Sequence, residues 1–242
     1  MTDKRVAIVT GSSAGIGSAV ARRLAGEGVR VVVNSVRSAE AGRRLAESLP
    51  GAIHVQADVG IEKEAATLVR RTVEEFGRLD VLVNNAGTTR RIPHADLEAV
   101  TPEIWREILD LNVIGTWQTS VAAIPHLRES GAGCIVNVSS VAGSRPAGSS
   151  IPYAVSKAAI EHMTRLLANT VGPEIRVNAV APGLIETRWT KGFTDIAEMT
   201  KRVVPLKRVG RPEDVAEVVL ALTNSMYVTG QVLLADGGAH LV

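Results

Sequence analysis

Seven short runs along the chain are apolar almost throughout and rich in β-branched residues: VAIVT (6–10), VRVVV (29–33), AIHVQ (52–56), LDVLVN (79–84), CIVNVS (134–139), IRVNAVA (175–181) and QVLLA (231–235). Runs without polar alternation predict strands covered on both faces. The stretches between them, 15–27, 38–49, 61–76, 101–129, 153–171 and 212–222, are rich in Ala, Leu, Glu and Arg with helical spacing. Strand alternating with helix through right-handed crossovers predicts an α/β fold, a doubly wound seven-stranded parallel sheet with helices on both faces. No linker, repeat or low-complexity tract interrupts the order, so 1–242 reads as a single domain. The exception is 184–208, LIETRWTKGFTDIAEMTKRVVPLKR, which is too long for an ordinary connection and mixed in polarity, and predicts a substrate lid.

Composition narrows the class without naming a ligand. With 45% hydrophobic residues and 22 glycines, the chain has the makeup of an ordinary globular protein. No apolar run approaches the roughly 20 residues that a membrane-spanning helix requires. The opening MTDKRVAIVTG passes from charge into a strand-like run without a signal-peptide cleavage region, so a cytoplasmic protein with no membrane partner is expected. Lys and Arg outnumber Asp and Glu by 27 to 25, a net charge of +2 that gives no argument for a nucleic-acid partner and does not repel an anionic ligand. The single cysteine, Cys134, lies inside an apolar run and reads as a small buried hydrophobe. His54, His94, His126, His162 and His240 lack metal-ligand spacing, so no metal site is predicted.

The first strand runs into TGSSAGIGSAVARRLA, which puts Gly11, Gly15 and Gly17 immediately before a helix. Glycine permits a tight turn and close backbone approach, and a helix N-terminus offers free N–H groups to a pyrophosphate. A plain turn would use the same residues, but between the first strand and first helix of such a sheet the cluster predicts dinucleotide binding. The second strand ends VVVNSVRSAE, with Asn34 where a chain selecting NAD would place a carboxylate. No acid appears before Glu40, and Arg37 can pair with a 2′-phosphate, so NADP is favoured and NAD stays possible; the other reading of Arg37 is a solvated loop charge. Asp58 and Val59 follow the third strand, and Asn84, Asn85, Ala86 and Gly87 follow the fourth. Strand carboxyl ends are where ligands bind in such sheets, although each group could serve as a turn or cap.

The candidate chemistry lies in IPYAVSKAAIEH, where Tyr153 and Lys157 fall one helical turn apart on one face. A tyrosine at its reference pKa of about 10 is too weak a base at neutral pH. An ammonium about 5 to 6 Å away is worth roughly 3 kcal/mol at an effective dielectric near 20, which would lower that pKa by about two units. Ser140, thirteen residues earlier at the end of the fifth strand, can face the same crevice, with Ser139 as its neighbouring alternative. Asn112, in ILDLNVIGTW, is an amide in an apolar helix and must find a partner, either in the site or in a helix kink.

Taken in order, Thr10-Gly11-x-x-x-Gly15-Ile16-Gly17, Asp58-Val59, Asn84-Asn85-Ala86-Gly87, Asn112, Ser140, Tyr153-x-x-x-Lys157, Pro182-Gly183-x-x-x-Thr187 and the terminal YVTGQ and Asp236-Gly237-Gly238 resemble the short-chain dehydrogenase/reductase family over essentially the full chain. The resemblance implies a single-domain Rossmann fold and a nicotinamide-dependent interconversion of a ketone and a secondary alcohol. It implies that Tyr153 exchanges a proton with the substrate oxygen, Ser140 polarises that oxygen, Lys157 holds the ribose and depresses the tyrosine pKa, and Asn112 holds a water. The cofactor set it implies is Gly11, Ser12, Ser13, Gly15, Ile16 and Gly17 in the first turn, Asn34 and Arg37 after the second strand, and Asp58 and Val59 after the third. Asn85, Ala86, Gly87, Tyr153, Lys157, Pro182, Gly183, Ile185 and Thr187 complete it. One departure is Ala14, where many NADP-using relatives carry Arg or Lys.

Within the family the likeness points to 3-oxoacyl reductases, whose substrate is bound to acyl carrier protein. The basic docking residues expected near the end of the fourth helix are reduced here to Arg128, offset by Glu129. The alternative is a dehydrogenase of a small alcohol, sugar or steroid-like substrate, with Trp189 and Phe193 lining an apolar pocket or simply packing. A silent dinucleotide sensor would be expected to lack Tyr153 or Lys157, and both are present. The resemblance also implies a homotetramer or homodimer, to which apolar positions of 153–171 would contribute if they are not all core.

Overall fold

The computed structural model describes residues 4–242, so residues 1–3 of the 1–242 span lie outside the described residues. The strands are β1 (Val6–Val9), β2 (Arg30–Ser35), β3 (Ile53–Gln56), β4 (Val81–Asn84), β5 (Gly133–Val138), β6 (Ile175–Pro182) and β7 (Val232–Ala235). They form one parallel sheet in the order β3-β2-β1-β4-β5-β6-β7. Successive residues of a strand point to opposite faces, and here both faces are covered. In β1, Ala7 and Val9 enter one core and Ile8 the other; in β5, Cys134 and Val136 face one way and Ile135 the other.

The first face is covered by α1 (Gly15–Gly26), α2 (Ala39–Glu47) and α8 (Pro212–Asn224), the second by α3 (Glu62–Phe76), α5 (Thr116–Glu129) and α6 (Ile151–Val171). Helix ends follow local chemistry. α3 stops at Gly77, whose φ of 74° is the left-handed conformation a glycine accepts without penalty. α6 starts at Ser150, whose Oγ accepts the Tyr153 amide, with Pro152 in the first turn. Chain order reverses between β2 and β4 around β1, so the loops after β1 and β4 diverge and open a crevice at the carboxyl edge of the sheet. Among the described residues no helix is long and apolar enough to cross a membrane.

Two stretches differ from the sequence expectation. The 101–129 helix is interrupted: α4 (Pro102–Leu109) and α5 flank a π-helical turn, Asp110–Gly115. The wider turn accommodates Asn112, whose carbonyl accepts the Thr116 hydroxyl and whose side chain turns inward, fully buried. The 184–208 stretch contains a helix not foreseen in the sequence, α7 (Thr194–Val203), which buries none of its residues and leaves Ile196, Met199 and Val203 exposed.

Candidate active site

The loop after β1 is a cradle shaped by what it excludes. Gly11 has φ +61°, and a Cβ there would stand 2.9 Å from the Ala86 Cα; Gly15 has φ +56°. A Cβ on Gly17 would lie 2.5 Å from Asn85 Nδ2 and 2.8 Å from the Gly11 carbonyl. Thr10 ties the loop to β4: its Oγ1 accepts the Asn85 and Ala86 amides at 3.0 Å, while Asn85 Nδ2 donates to the Thr10 and Gly11 carbonyls. Ala14 at the start of α1 supplies no side-chain cap, so the first-turn N–H groups stay open to the crevice. Backbone donors, the positive end of a helix and glycine clearance fit a dinucleotide pyrophosphate.

The other residues of the expected cofactor set divide into those that reach the crevice and those that do not. Gly11, Gly15 and Ile16 line it from the first turn, and Asn85, Ala86 and Gly87 from the turn after β4. Pro182, Gly183, Ile185 and Thr187 line it from the end of β6 onward. Ser12 instead is fully buried, donating to the Val9 carbonyl at 2.7 Å and accepting the Asn34 amide, and Ser13 is bonded to Ser38. Asn34 is committed differently from the expectation: Oδ1 accepts the Gly11 amide and Nδ2 donates to the Val55 and Ala57 carbonyls. It lines the crevice, and its amide pins three backbone groups on two segments, the loop after β1 and the end of β3. Asp58 accepts the Gly60 amide as a turn residue, and Val59 is core. Arg37 is exposed and forms no ion pair among the described residues.

At the crevice floor, Ser140 leaves the end of β5 and meets the first turn of α6. Ser140 is the hydroxyl neighbour that draws the Tyr153 phenol downward in pKa, while Ser139 turns the other way to donate to Glu161 Oε1 at 3.0 Å and the Lys157 carbonyl at 3.2 Å. That orientation selects Ser140 over Ser139 as the phenol's partner. Lys157 Nζ lies 5.6 Å from the Tyr153 ring centre and donates to the Val138 carbonyl at 2.8 Å. Asn112 does not line the crevice: Oδ1 accepts the Thr88 amide at 2.8 Å, and Nδ2 donates to the Thr88 carbonyl and Ser156 Oγ at 3.0 Å each. It thereby fastens the segment after β4 to α6, directly beside Lys157.

The electrostatics reverse one expectation. Burial pushes the Tyr153 phenol up, and the Ser140 hydrogen bond pulls it only part of the way back. Burial also lowers Lys157 to about 8. In the protein alone, desolvation of the phenol therefore sets the direction of its shift, while the Lys157 ammonium donates to the Val138 carbonyl. The pair at neutral pH is a neutral phenol, a proton donor, backed by a charged ammonium. Cys134 is inert, since burial lifts its thiol to about 11.

Several participants have partners that the sequence reading did not assign. Thr10 clamps the cradle, and Glu161 is a buried carboxylate one turn beyond Lys157. Asn84 and Asn137, paired in register across β4 and β5, carry a buried chain from Ser120 through both amides to Thr164. Asparagines at the ends of two apolar runs were the available sign. Trp189 stands edge-on to the Tyr153 ring at 6.2 Å, and with Phe193 it lines the crevice, which favours the pocket reading of both aromatics over plain packing.

A family model described as enoyl-(acyl carrier protein) reductase matches residues 11–240. The chain is 68% identical over 240 residues to a protein of Streptomyces violaceoruber named as a ketoacyl reductase of the granaticin polyketide synthase, covering 98% of this chain and 96% of that one. It is 38% identical over 241 residues to the 3-oxoacyl-(acyl-carrier-protein) reductase of Thermotoga maritima, covering 97% of each. A solved structure described as a short-chain dehydrogenase/reductase from Burkholderia xenovorans superposes with a TM-score of 0.93 at 35% identity, over the whole of both chains.

Proposed function

The chain belongs to the short-chain dehydrogenase/reductase family, as an oxidoreductase acting between C=O and CH–OH with NAD(P), and we propose that its reaction is the NADPH-dependent reduction of a 3-oxoacyl thioester. The observation that carries the reading is the neutral Tyr153 phenol beside Ser140, with the charged Lys157 behind it, on the floor of a crevice of about 860 Å³. When bound, the nicotinamide supplies the hydride. Tyr153 donates its proton to the oxygen that gains charge as the ketone is reduced, and the Ser140 hydroxyl donates a second hydrogen bond to that oxygen. Lys157 then faces the phenolate left behind and stabilises it through a poorly solvated gap. Asn112 and Ser139 hold the segment after β4 and the end of β5 on α6, which keeps these groups in register.

NADP rather than NAD is supported by the end of β2, where Ser35, Val36, Arg37 and Ser38 offer no carboxylate, and Glu40 is already paired with Arg43 and Arg44. Calorimetry with both reduced cofactors tests this; tighter binding of NADH would overturn it. The 184–208 stretch serves as the substrate lid, with Trp189 and Phe193 as its inner face. Delivery on an acyl carrier protein rests on the likeness to 3-oxoacyl-(acyl-carrier-protein) reductases; the end of α5 weighs against it, since it offers only exposed Arg128 beside exposed Glu129. A homotetramer is supported by exposed Ile114, Trp117 and Val121 on one helical stripe and Leu233 and Leu234 on the edge strand β7; light scattering at four times 25.5 kDa would bear it out. The decisive experiment is absorbance at 340 nm across a panel of carbonyls with both cofactors. Acetoacetyl thioester is expected to be reduced fastest. A faster rate on crotonyl thioester would move the reaction to C=C, and one on small ketones or sugars would favour the small-substrate alternative.

A further inference from the structure

Two arginines stand side by side after β4 and have opposite surroundings. Arg90 donates from Nε and Nη2 to Glu107, so its charge is answered. Arg91 has no carboxylate partner among the described residues, and it lines the crevice. Its guanidinium lies 4.8 Å from the Phe193 ring centre, and one N–H reaches the Gly192 carbonyl at 3.3 Å. A guanidinium carries five N–H donors, so four are left without a hydrogen-bond partner among the described residues. Stacking on the ring fixes the plane of the group in advance, which reduces the ordering that a ligand must impose.

The position of this charge relative to the reacting phenol is informative. Trp189 packs edge-on against Tyr153, Phe193 follows four residues later, and Arg91 sits on Phe193. Trp189, Phe193, Ile92 and Pro93 give the crevice apolar lining alongside this cation. The one carboxylate among the lining residues, Asp236, is occupied by the Gly238 and His240 amides and by the His240 ring. We propose that Arg91 is a specificity-determining residue that binds an anionic oxygen group, phosphate or carboxylate, on the part of the substrate remote from its ketone. The inference deepens the 3-oxoacyl reading and rests on it: the anion is either the phosphate of a phosphopantetheine arm or a carboxylate on the acyl chain. A fork of donors suits both, since each presents two or more oxygens in one plane.

The test compares three substrates with wild type, Arg91→Gln and Arg91→Lys. They are the acetoacetyl thioesters of N-acetylcysteamine, which is neutral, and of 4′-phosphopantetheine, and the N-acetylcysteamine thioester of 3-oxoadipate, which carries a distal carboxylate. Arg91→Gln is expected to raise KM about tenfold for at least one charged substrate, with kcat and the neutral substrate within about twofold, and Arg91→Lys to restore part of the loss. Loss confined to the phosphate identifies the carrier arm, and loss confined to the carboxylate identifies the acyl chain. An equal rise for all three substrates would overturn the proposal and make Arg91 a tether between the two loops. If wild type reduces none of the three, the 3-oxoacyl reading fails separately. Tryptophan fluorescence titrations of wild type and Arg91→Gln with 4′-phosphopantetheine against pantetheine, and monomethyl against dimethyl glutarate, then decide the inference. An Arg91-dependent preference for either anion upholds it, and equal affinities in both pairs sink it.

Discussion

On the β1–β4 side of the crevice, Gly11 and Gly17 stand where a Cβ would come within 3 Å of neighbouring backbone, and the side chains of Asn34 and Asn85 are tied to main-chain groups. On the opposite side, Trp189, Phe193 and Ile196 reach in from a segment whose helix, α7, buries nothing, and Trp189 itself is 46% exposed. The first wall is made of backbone and fixed by mutual contact. The second is made of side chains on a loosely packed support. A backbone wall suits a ligand that never changes, because almost any substitution disturbs its shape. A side-chain wall allows the substrate to be altered without disturbing the fold.

Tyr153 stands where the two walls meet, and its loss has the largest expected effect. Tyr153→Phe should lower kcat by about a thousandfold while cofactor affinity in calorimetry stays within about threefold. Turnover equal to wild type would remove the phenol from the mechanism. Gly17→Ala attacks the backbone wall. Its Cβ would force the Asn85 side chain and Gly11 carbonyl apart, so cofactor affinity should fall more than tenfold and Tm by about 5 °C, as for an overpacked site costing roughly 1–3 kcal/mol. An unchanged Kd would show that this wall yields more than its contacts suggest.

The pH profile probes the junction again. The folded pKa of Lys157 lies below its ordinary value, so its charge is lost as pH rises through about 8, whereas the phenol, shifted upward, stays protonated over that range. Reductive kcat/KM should therefore hold to about pH 8 and decline above it toward about tenfold per unit; a plateau to pH 10 would separate the lysine charge from catalysis. The smallest effect belongs to the side-chain wall. Trp189→Ala should change KM for an acyl substrate about threefold to tenfold, with cofactor Kd and Tm nearly unchanged. A loss of cofactor binding equal to that of Gly17→Ala would erase the difference between the walls.

Much of the site was legible in the residues because its chemistry is tied to chain order. A glycine turn after the first strand, a serine after the fifth and a tyrosine and lysine one helical turn apart have positions that local structure carries to one edge of the sheet. The gaps fell where a residue's role depends on distant partners. Asn34 was read as the position without a carboxylate, and its bonds to the Gly11 amide and two carbonyls near β3 could not be foreseen. Asn112 took its role from the resemblance alone, and the partners that hold its side chain, Thr88 and Ser156, are brought to it only by the fold. The sign of the Tyr153 shift was misread because spacing sets the distance to Lys157 but says nothing of desolvation.

What the sequence determined by itself is the part governed by local rules: the alternation of strands and helices, the parallel sheet they must form, and the face on which Tyr153 and Lys157 project. Tertiary structure decided the rest. It turned Ser139 away from Tyr153, turned Asn34 inward, opened the helix at Asn112 and left Arg91 without a carboxylate partner among the described residues, beside an Arg90 paired with Glu107. Each of these turns on which polar groups lie within 3 Å across the fold and on how much water they lose, and neither quantity is written in the order of residues along a chain.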